Sequence, residues 1–290
     1  MSTSDDFRVS KRTFIKSTVG IGGLAAASGM LAAAGTPRQA FGQLLEAGIR
    51  EDSALARVKK DRVLRVGYSQ TLPWFQRDPK TGNLEGIYWE ACERLGKELE
   101  VKVQYQEVSW ANSTVGLRKG DYEVFGSSLF YTIPRALVAN YVGPLWRKGR
   151  LVVTHKDWAD RFKGPQDFDR PDVTFSVIGG TSEEDWVKKS FPKAQILAST
   201  GQLAVALEPV RTKRAQLFAA GDLDAILYAR RNAWAHVIDK DHPIGLTPNT
   251  WAIRYGDAEW KSFLDFWGDH LVTSGYMQEI YDKYVEKMLG

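Results

Sequence analysis

Short apolar strand patterns alternate with amphipathic helix patterns through most of this 290-residue chain, in two successive blocks. Apolar residues alternate with polar or small ones over Leu64–Tyr68, as in a strand, and recur at every fourth position over Ile87–Leu99, as on one helix face. The first block continues with a strand, a short helix and a third strand at 101–105, 112–119 and 122–126. This alternation predicts an α/β fold with a mostly parallel sheet flanked by helices.

The second block begins after Gly149 and repeats the pattern. Its predicted elements are strands at 151–153 and 173–178, a helix at 185–190, a strand at 195–198, a helix at Lys213–Ala220 that ends at Gly221, and a strand at Asp224–Tyr228. The chain closes with a strand at 250–254 and two amphipathic helices at 260–271 and 280–288. Because no low-complexity linker separates the blocks, we expect two similar α/β units followed by a helical pair.

Charge and cysteine content exclude several kinds of site. The formal net charge is +4, and residues 1–34 contain four basic and two acidic residues, so only +2 remains for the rest of the chain. That balance is unsuited to a nucleic-acid-binding surface, which needs a concentrated basic face. The single Cys92 excludes an internal disulfide, and four scattered histidines without a second cysteine argue against a zinc or iron–sulfur centre. We expect no metal and no cofactor.

Residues 1–34 have the three parts of a secretory leader. The basic segment Ser10–Lys16 precedes a Gly/Ala-rich apolar run, Val19–Ala34, which closes on three alanines. The basic segment resembles a twin-arginine export signal in which Lys11 replaces the first arginine. General secretion and an uncleaved amphipathic anchor stay open as alternatives. The leader predicts a soluble mature protein in the periplasm, with 35–62 as a polar lead-in.

Several short motifs follow the leader in a characteristic order. They are Pro73-Trp74-Phe75, Val108-x-Trp110-x-Asn112, Gly120-Asp121-Tyr122, Thr132-Ile133-Pro134-Arg135, Gly179-Gly180-Thr181-Ser182, Gly221-Asp222-Leu223-Asp224-Ala225 and Ser274-Gly275-Tyr276. Together they resemble the family 3 extracellular solute-binding proteins, the periplasmic receptors of polar amino acid ABC transporters. The resemblance implies a type II periplasmic binding protein-like fold, in which two α/β lobes close on a small ligand and the chain crosses twice between them. It implies lobe 1 at 63–148 and 247–290, lobe 2 at 149–246, a permease partner and a monomer.

Arg135 is the first candidate for ligand binding. Thr132 is a natural N-cap and Pro134 suits a first helical turn, so Arg135 falls at the positive end of a helix, where a cation is disfavoured unless an anion faces it. Thr181 and Ser182 open another helix whose N–H groups could bind an anion, although capping alone also explains them. The resemblance implies that Arg135 and this second helix hold one ligand carboxylate from both lobes.

The resemblance also indicates further ligand contacts, with core packing as the alternative for the aromatic ones. These candidates are Tyr68, Trp74, Trp110, Ser128 and Thr132. Phe130 stands where the family usually has Ser or Thr, and Ala229, counted from Asp224, stands where the family has the aspartate that pairs with the ligand ammonium. Burying an ammonium without a carboxylate is costly. We therefore hypothesise an amine-free carboxylate ligand, with Arg230 as a second anion partner or, alternatively, at a solvated helix start.

A transport receptor is the function that these features favour, with no catalysis. The rival class is an enzyme, because Val173–Leu197 also resembles periplasmic cyclohexadienyl dehydratase, which uses the same fold. Glu183 or Glu184 would then be the proton donor, although both are also explained as first-turn carboxylates that stabilise a helix. A ligand-sensing or accessory protein of the same fold is a third alternative.

Overall fold

The computed structural model describes residues 42–43, 47–200 and 203–289, so the predicted leader lies outside the described residues. The helices are α1 (Ala54–Asp61), α2 (Ile87–Glu98), α3 (Val115–Lys119), α4 (Ile133–Ala136), α5 (Ser182–Ser190), α6 (Leu203–Arg211), α7 (Asp222–Arg231), α8 (Ala258–Thr273) and α9 (Tyr276–Leu289). The strands are β1 (Val63–Tyr68), β2 (Gln76–Arg77), β3 (Leu84–Glu85), β4 (Lys102–Glu107), β5 (Val124–Phe130), β6 (Asn140–Tyr141), β7 (Trp146–His155), β8 (Thr174–Ile178), β9 (Gln195–Ser199), β10 (Leu217–Gly221), β11 (Ala235–Ile238) and β12 (Ile244–Ile253). Within the described ranges, none of the helices combines the length and apolarity that a membrane crossing requires.

Ten strands form one mixed sheet, whose main path runs β4-β1-β5-β12-β7-β10-β8-β9. β1 lies parallel to β4 and β5, and β8 lies parallel to β9 and β10, so each outer half has the predicted parallel arrangement. The central strands β7 and β12, ten residues each, run antiparallel to each other and connect the two halves. The lobe boundaries that we predict after residues 148 and 246 fall within these two strands.

Helices pack on both faces of the sheet because neighbouring strand residues point to opposite sides. In β10, Leu217 and Ala219 belong to one buried cluster, whereas Phe218 and Ala220 belong to another. The largest cluster joins β1 to helices α1, α2, α8 and α9. The closing pair α8 and α9 thus has its predicted amphipathic packing, against the half of the sheet that contains β1.

The segment that includes β10 and α7 differs from the sequence prediction. The predicted helix Lys213–Ala220 is wrong, because Leu217–Gly221 is a fully buried strand that pairs with β7 and β8. The predicted strand Asp224–Tyr228 is also wrong, since it lies within α7, whose acidic first turn and basic last turn match the helix dipole. Short apolar runs fit both periodicities. The two neighbouring strands decide which run joins the sheet.

Candidate ligand-binding site

A cavity lies where the carboxyl ends of β1, β5, β8 and β10 meet, and its empty space together with the adjoining open solvent is about 580 Å³. Its walls come from residues at or near the ends of these strands, from the first turns of α5 and α7, and from Trp110, Arg135, Lys148 and Leu203. Ligands of open α/β sheets bind at such strand ends, in concave sites lined by apolar side chains and a few convergent polar groups. The cavity is therefore the candidate ligand-binding site.

The cavity brings together most of the residues that the sequence nominates as ligand contacts. They are Trp110, Ser128, Phe130, Arg135, Thr181 and Ser182. Tyr68 and Trp74 are instead buried in the core, with 1% and 0% of their surface exposed. Thr132 caps α4, and Arg230 lies exposed in the last turn of α7. None of these four lines the cavity.

Arg135 extends from one half of the sheet to the other. Thr132 Oγ1 accepts a hydrogen bond from the Arg135 backbone N–H at 3.4 Å, which begins α4 as predicted. The guanidinium donates through Nη2 to the Gly180 carbonyl at 3.1 Å, and no ion pair joins it to any carboxylate of the described ranges. Burial lowers the pKa of Arg135, yet a guanidinium stays protonated in proteins. The cavity wall thus contains a cation without a counter-ion.

The N-terminus of α5 lies beside this guanidinium. Thr181 Oγ1 accepts a hydrogen bond from the Glu184 N–H at 3.3 Å, and Glu184 Oε2 accepts one from the Gly180 N–H at 2.7 Å, so the predicted capping occurs. No described residue accepts a hydrogen bond from the backbone N–H groups of Ser182 and Glu183. A helix N-terminus with unpaired N–H groups attracts anions. Arg135 and the N-terminus of α5 therefore present a guanidinium and unpaired backbone N–H groups side by side.

Gly180 allows the two halves to approach closely at this point. Its φ is +77°, and a Cβ placed on it would lie 2.8 Å from the Ala111 Cβ and 2.9 Å from the Ala111 Cα. A side chain here would be strained and would push the α5 turn away from the Trp110–Asn112 turn. The cleft between the halves is closed in this structure.

A buried ion pair, which the sequence patterns did not predict, lies in the cavity wall. Lys148 Nζ is 3.3 Å from Asp224 Oδ2, and the two side chains are 1% and 11% exposed. Trp74 Nε1 donates to Asp224 Oδ1 at 3.1 Å, and Lys148 Nζ donates to Ser128 Oγ at 3.1 Å. Burial raises the pKa of Asp224 to about 6, although the Lys148 ammonium opposes that rise.

The position of Asp224 corrects the argument that the cavity lacks an acidic group. That argument placed Asp224 inside a strand and counted five residues onward to Ala229. Because the strand is Leu217–Gly221, Asp224 lies in the first turn beyond the strand end and lines the cavity, whereas Ala229 lies further along α7. The sequence signal that could have indicated an acidic group in the cavity was the pair Asp222 and Asp224, which follows Gly221. Lys148 offered none, because it stands in the basic stretch Arg147–Arg150, where nothing in the sequence distinguishes it from its neighbours.

Two further features of the wall involve polar groups without partners. Thr71 lines the cavity, and its Oγ1 is buried without a hydrogen-bond partner among the described residues. Phe130 packs between two cations, with the Arg150 guanidinium 4.4 Å and Lys148 Nζ 5.5 Å from its ring centroid. The Arg150 guanidinium donates no hydrogen bond to a described residue, and its Nε is buried. Phe130 therefore supports cations through its ring face, which a Ser or Thr would not do.

The chain matches the sequence profile of the bacterial extracellular solute-binding proteins, family 3, over residues 64–287. It is similar to the cyclohexadienyl dehydratase of Pseudomonas aeruginosa, with 22% identity over 236 residues that cover 81% of this chain and 87% of that one. Among solved structures, it is similar to an ancestral amino acid-binding protein that is a precursor of cyclohexadienyl dehydratase. The two share 28% sequence identity and a TM-score of 0.74, and the match covers 80% of this chain and 99% of that one. The cysteine-binding protein of Campylobacter jejuni has a TM-score of 0.74 at 21% identity, covering 82% and 95%. These neighbours confirm the two-lobe type II periplasmic binding protein-like fold.

Proposed function

Because the chain belongs to the family 3 bacterial extracellular solute-binding proteins, we propose that it binds a small carboxylate-bearing solute in this cavity as the receptor of an ABC importer. The observation that carries the proposal is the Arg135 guanidinium, which has no counter-ion among the described residues and lies beside the N-terminus of α5. A planar guanidinium offers a carboxylate two parallel hydrogen bonds, and the Ser182 and Glu183 N–H groups offer more. One carboxylate would satisfy both sets.

The same arrangement would couple binding to closure. Arg135 follows β5 in one half of the sheet, and α5 follows β8 in the other half. A carboxylate bound by both groups makes all its hydrogen bonds only when the cleft is closed, so the ligand stabilises the closed form. A receptor of this kind delivers its ligand by presenting that form to a permease. We propose a separate permease chain in the inner membrane as the partner, a periplasmic location and a monomeric receptor.

The test measures the melting temperature of purified protein, refolded to remove bound ligand, against a panel of small carboxylates. A ligand at about 100 times its Kd stabilises the folded state by about 2.7 kcal/mol, which raises the melting temperature by several degrees. We expect at least one carboxylate to do so, Arg135→Met to abolish the effect, and Arg230→Met to retain it. The matched control removes an exposed arginine that does not line the cavity. An unchanged response in Arg135→Met would contradict the proposal.

A dehydratase is the second candidate function, because Glu183 lines the same cavity as Arg135. Elimination of a hydroxyl needs a proton donor near the leaving oxygen, and a carboxylic acid can act as one. The Glu183 carboxylate accepts a hydrogen bond from Ser182 Oγ at 3.1 Å and lies in the first turn of α5, where a carboxylate stabilises the helix, so its position is explained without a role in catalysis. Binding is therefore preferred.

The two candidates are distinguished by incubating the protein with a cyclohexadienyl carboxylate that carries a ring hydroxyl. The dehydratase predicts loss of water, followed by ultraviolet absorbance, and predicts that Glu183→Gln abolishes this turnover while ligand binding survives. The receptor predicts no turnover in either protein.

A further inference from the structure

We infer that the cavity selects carboxylates that lack an α-amine, because Lys148 supplies an internal ammonium to the groups that could otherwise bind the ligand's ammonium. The inference rests on the proposed function, since it specifies the solute class for the same cavity. It does not depend on a missing acidic residue, because Asp224 is present in the wall. It depends on what Asp224 already binds.

Both oxygens of Asp224 are engaged by the protein. Oδ2 contacts Lys148 Nζ at 3.3 Å, and Oδ1 accepts a hydrogen bond from Trp74 Nε1 at 3.1 Å. Trp74 is fully buried, so its indole holds the carboxylate from behind the cavity wall. An ammonium from a ligand would have to share this carboxylate with a buried ammonium that belongs to the chain, or displace it. In either case two cations compete for one counter-ion, which leaves a buried charge incompletely compensated.

The other contacts of Lys148 fix its ammonium at this point. Nζ donates to Ser128 Oγ at 3.1 Å, and Ser128 Oγ in turn donates to Asn249 Oδ1 at 3.1 Å, so the proton of this hydroxyl and one of its two lone pairs are used. Nζ also lies 4.5 Å from the Trp74 ring centroid, where the ring face attracts a cation. Ser128 is one of the ligand contacts that the family resemblance implies. In this structure it binds the amine of Lys148.

The absence of a side chain at Gly221 leaves room for the Lys148–Asp224 ion pair. A Cβ placed on Gly221 would lie 2.6 Å from Asp224 Oδ2 and 2.8 Å from Lys148 Nζ. Any larger residue at 221 would therefore separate the two charged groups or force them into the cavity. The fit around the pair indicates that Lys148 belongs in this position when the cleft is closed.

Two further cations in or near the wall also oppose a ligand ammonium. Arg135, which lines the cavity, has no counter-ion among the described residues, and Arg150, which is not part of the lining but packs against the ring of Phe130, has none either. An incoming ammonium would meet Lys148 and Arg135, and like charges at such distances weaken binding strongly. Glu183 is the other carboxylate of the described cavity lining, so it is the group through which an α-amino acid could still bind.

The experiment compares matched ligands that differ only in the α-amine, by calorimetric titration of refolded protein. The pairs are L-glutamate and glutarate, L-phenylalanine and 3-phenylpropanoate, and L-lysine and 6-aminohexanoate. We expect the amine-free member of any pair that binds to have a Kd lower by at least about 100-fold. An α-amino acid that binds equally or more tightly overturns the inference and leaves the proposed function standing. If Glu183→Gln then abolishes that binding, Glu183 is the group that holds the amine. If no member of any pair binds, the proposed function fails and the inference fails with it.

Two variants test the role of Lys148 itself. Lys148→Met frees Asp224 for a ligand ammonium, so we expect the preference to shift toward the α-amino acid by at least about tenfold. Lys148→Met combined with Asp224→Asn leaves no isolated buried charge, which guards against a single variant that does not fold. The preference for the amine-free acid should also shrink in this double variant, because the internal ammonium is gone. An unchanged preference in a folded variant overturns the inference.

Discussion

Replacing Lys148 with methionine is expected to lower the free energy of unfolding by about 3–5 kcal/mol, the usual cost of leaving one member of a buried ion pair alone. The magnitude follows from the local geometry. The two side chains are 1% and 11% exposed, and Lys148 Nζ is 3.3 Å from Asp224 Oδ2. Without the lysine, the Asp224 carboxylate retains only the hydrogen bond from Trp74 Nε1.

A second substitution makes this prediction specific. Asp224→Asn alone strands the Lys148 ammonium, whereas the double variant removes both charges and keeps an oxygen that can accept the Trp74 hydrogen bond. Replacing a whole buried pair is far less costly than breaking it. The double variant should therefore be more stable than either single variant, although simple addition of the two losses predicts the opposite.

The assay is urea denaturation at neutral pH, followed by far-ultraviolet circular dichroism and extrapolated linearly to water. Lys163→Met is the matched control, because Lys163 forms an exposed ion pair with Asp160, with side chains 62% and 105% exposed. Exposed pairs contribute about 0–1 kcal/mol, so this variant should resemble the wild type. If Lys148→Met loses no more than the control, or if the double variant loses the sum of the single variants, the buried pair does not contribute as argued.

Three further predictions concern pH, the cleft and the α5 cap. Burial raises the pKa of Asp224 to about 6, so the stability that its protonated form contributes is present at acidic pH and is lost as the pH rises through about 6. Relative to Asp224→Asn, the wild-type free energy of unfolding should therefore fall by about 2 kcal/mol from about pH 4 to about pH 7, and parallel urea-denaturation profiles would contradict this. In calorimetric titration, Gly180→Ala should weaken carboxylate binding about tenfold, because the new Cβ presses on Ala111. Gly256→Ala is the control and should retain the wild-type Kd, because Gly256 has a similar positive φ but no atom within 4 Å of the new Cβ. Because the Thr181 hydroxyl caps α5, Thr181→Ala should lower the free energy of unfolding in urea denaturation by about 1 kcal/mol, and Thr181→Ser by much less. Equal losses in the two variants would exclude a capping role for the hydroxyl.

Features that depend on neighbouring residues were predictable from the sequence. The spacing of apolar residues located α2, α8 and α9, because one side of each helix is buried. The caps of α4 and α5 were predictable because Thr132 and Thr181 bind backbone groups only three residues away. These local contacts also point to Arg135 and the N-terminus of α5 as an anion site.

Which residues surround that anion site depends on contacts between distant parts of the chain. Lys148 and Asp224 are 76 residues apart, and Trp74 is 150 residues from Asp224. Sequence spacing carries no record of such contacts. Trp74 illustrates the limit, since its nomination for the cleft was reasonable, yet the indole lies behind the wall and holds Asp224 instead of a ligand.

Local sequence patterns are thus sufficient to indicate the alternating α/β architecture, the family resemblance and the two elements that we propose to hold a carboxylate. Contacts with distant strands make Leu217–Gly221 a strand. Its short apolar run fits a helix as well as a strand, and the strand forms because β7 and β8 supply its backbone hydrogen bonds. That choice moves Asp224 to the end of a strand and into contact with Lys148. A buried charge is stabilised only by partners that folding brings to it, and those partners lie far away in the sequence.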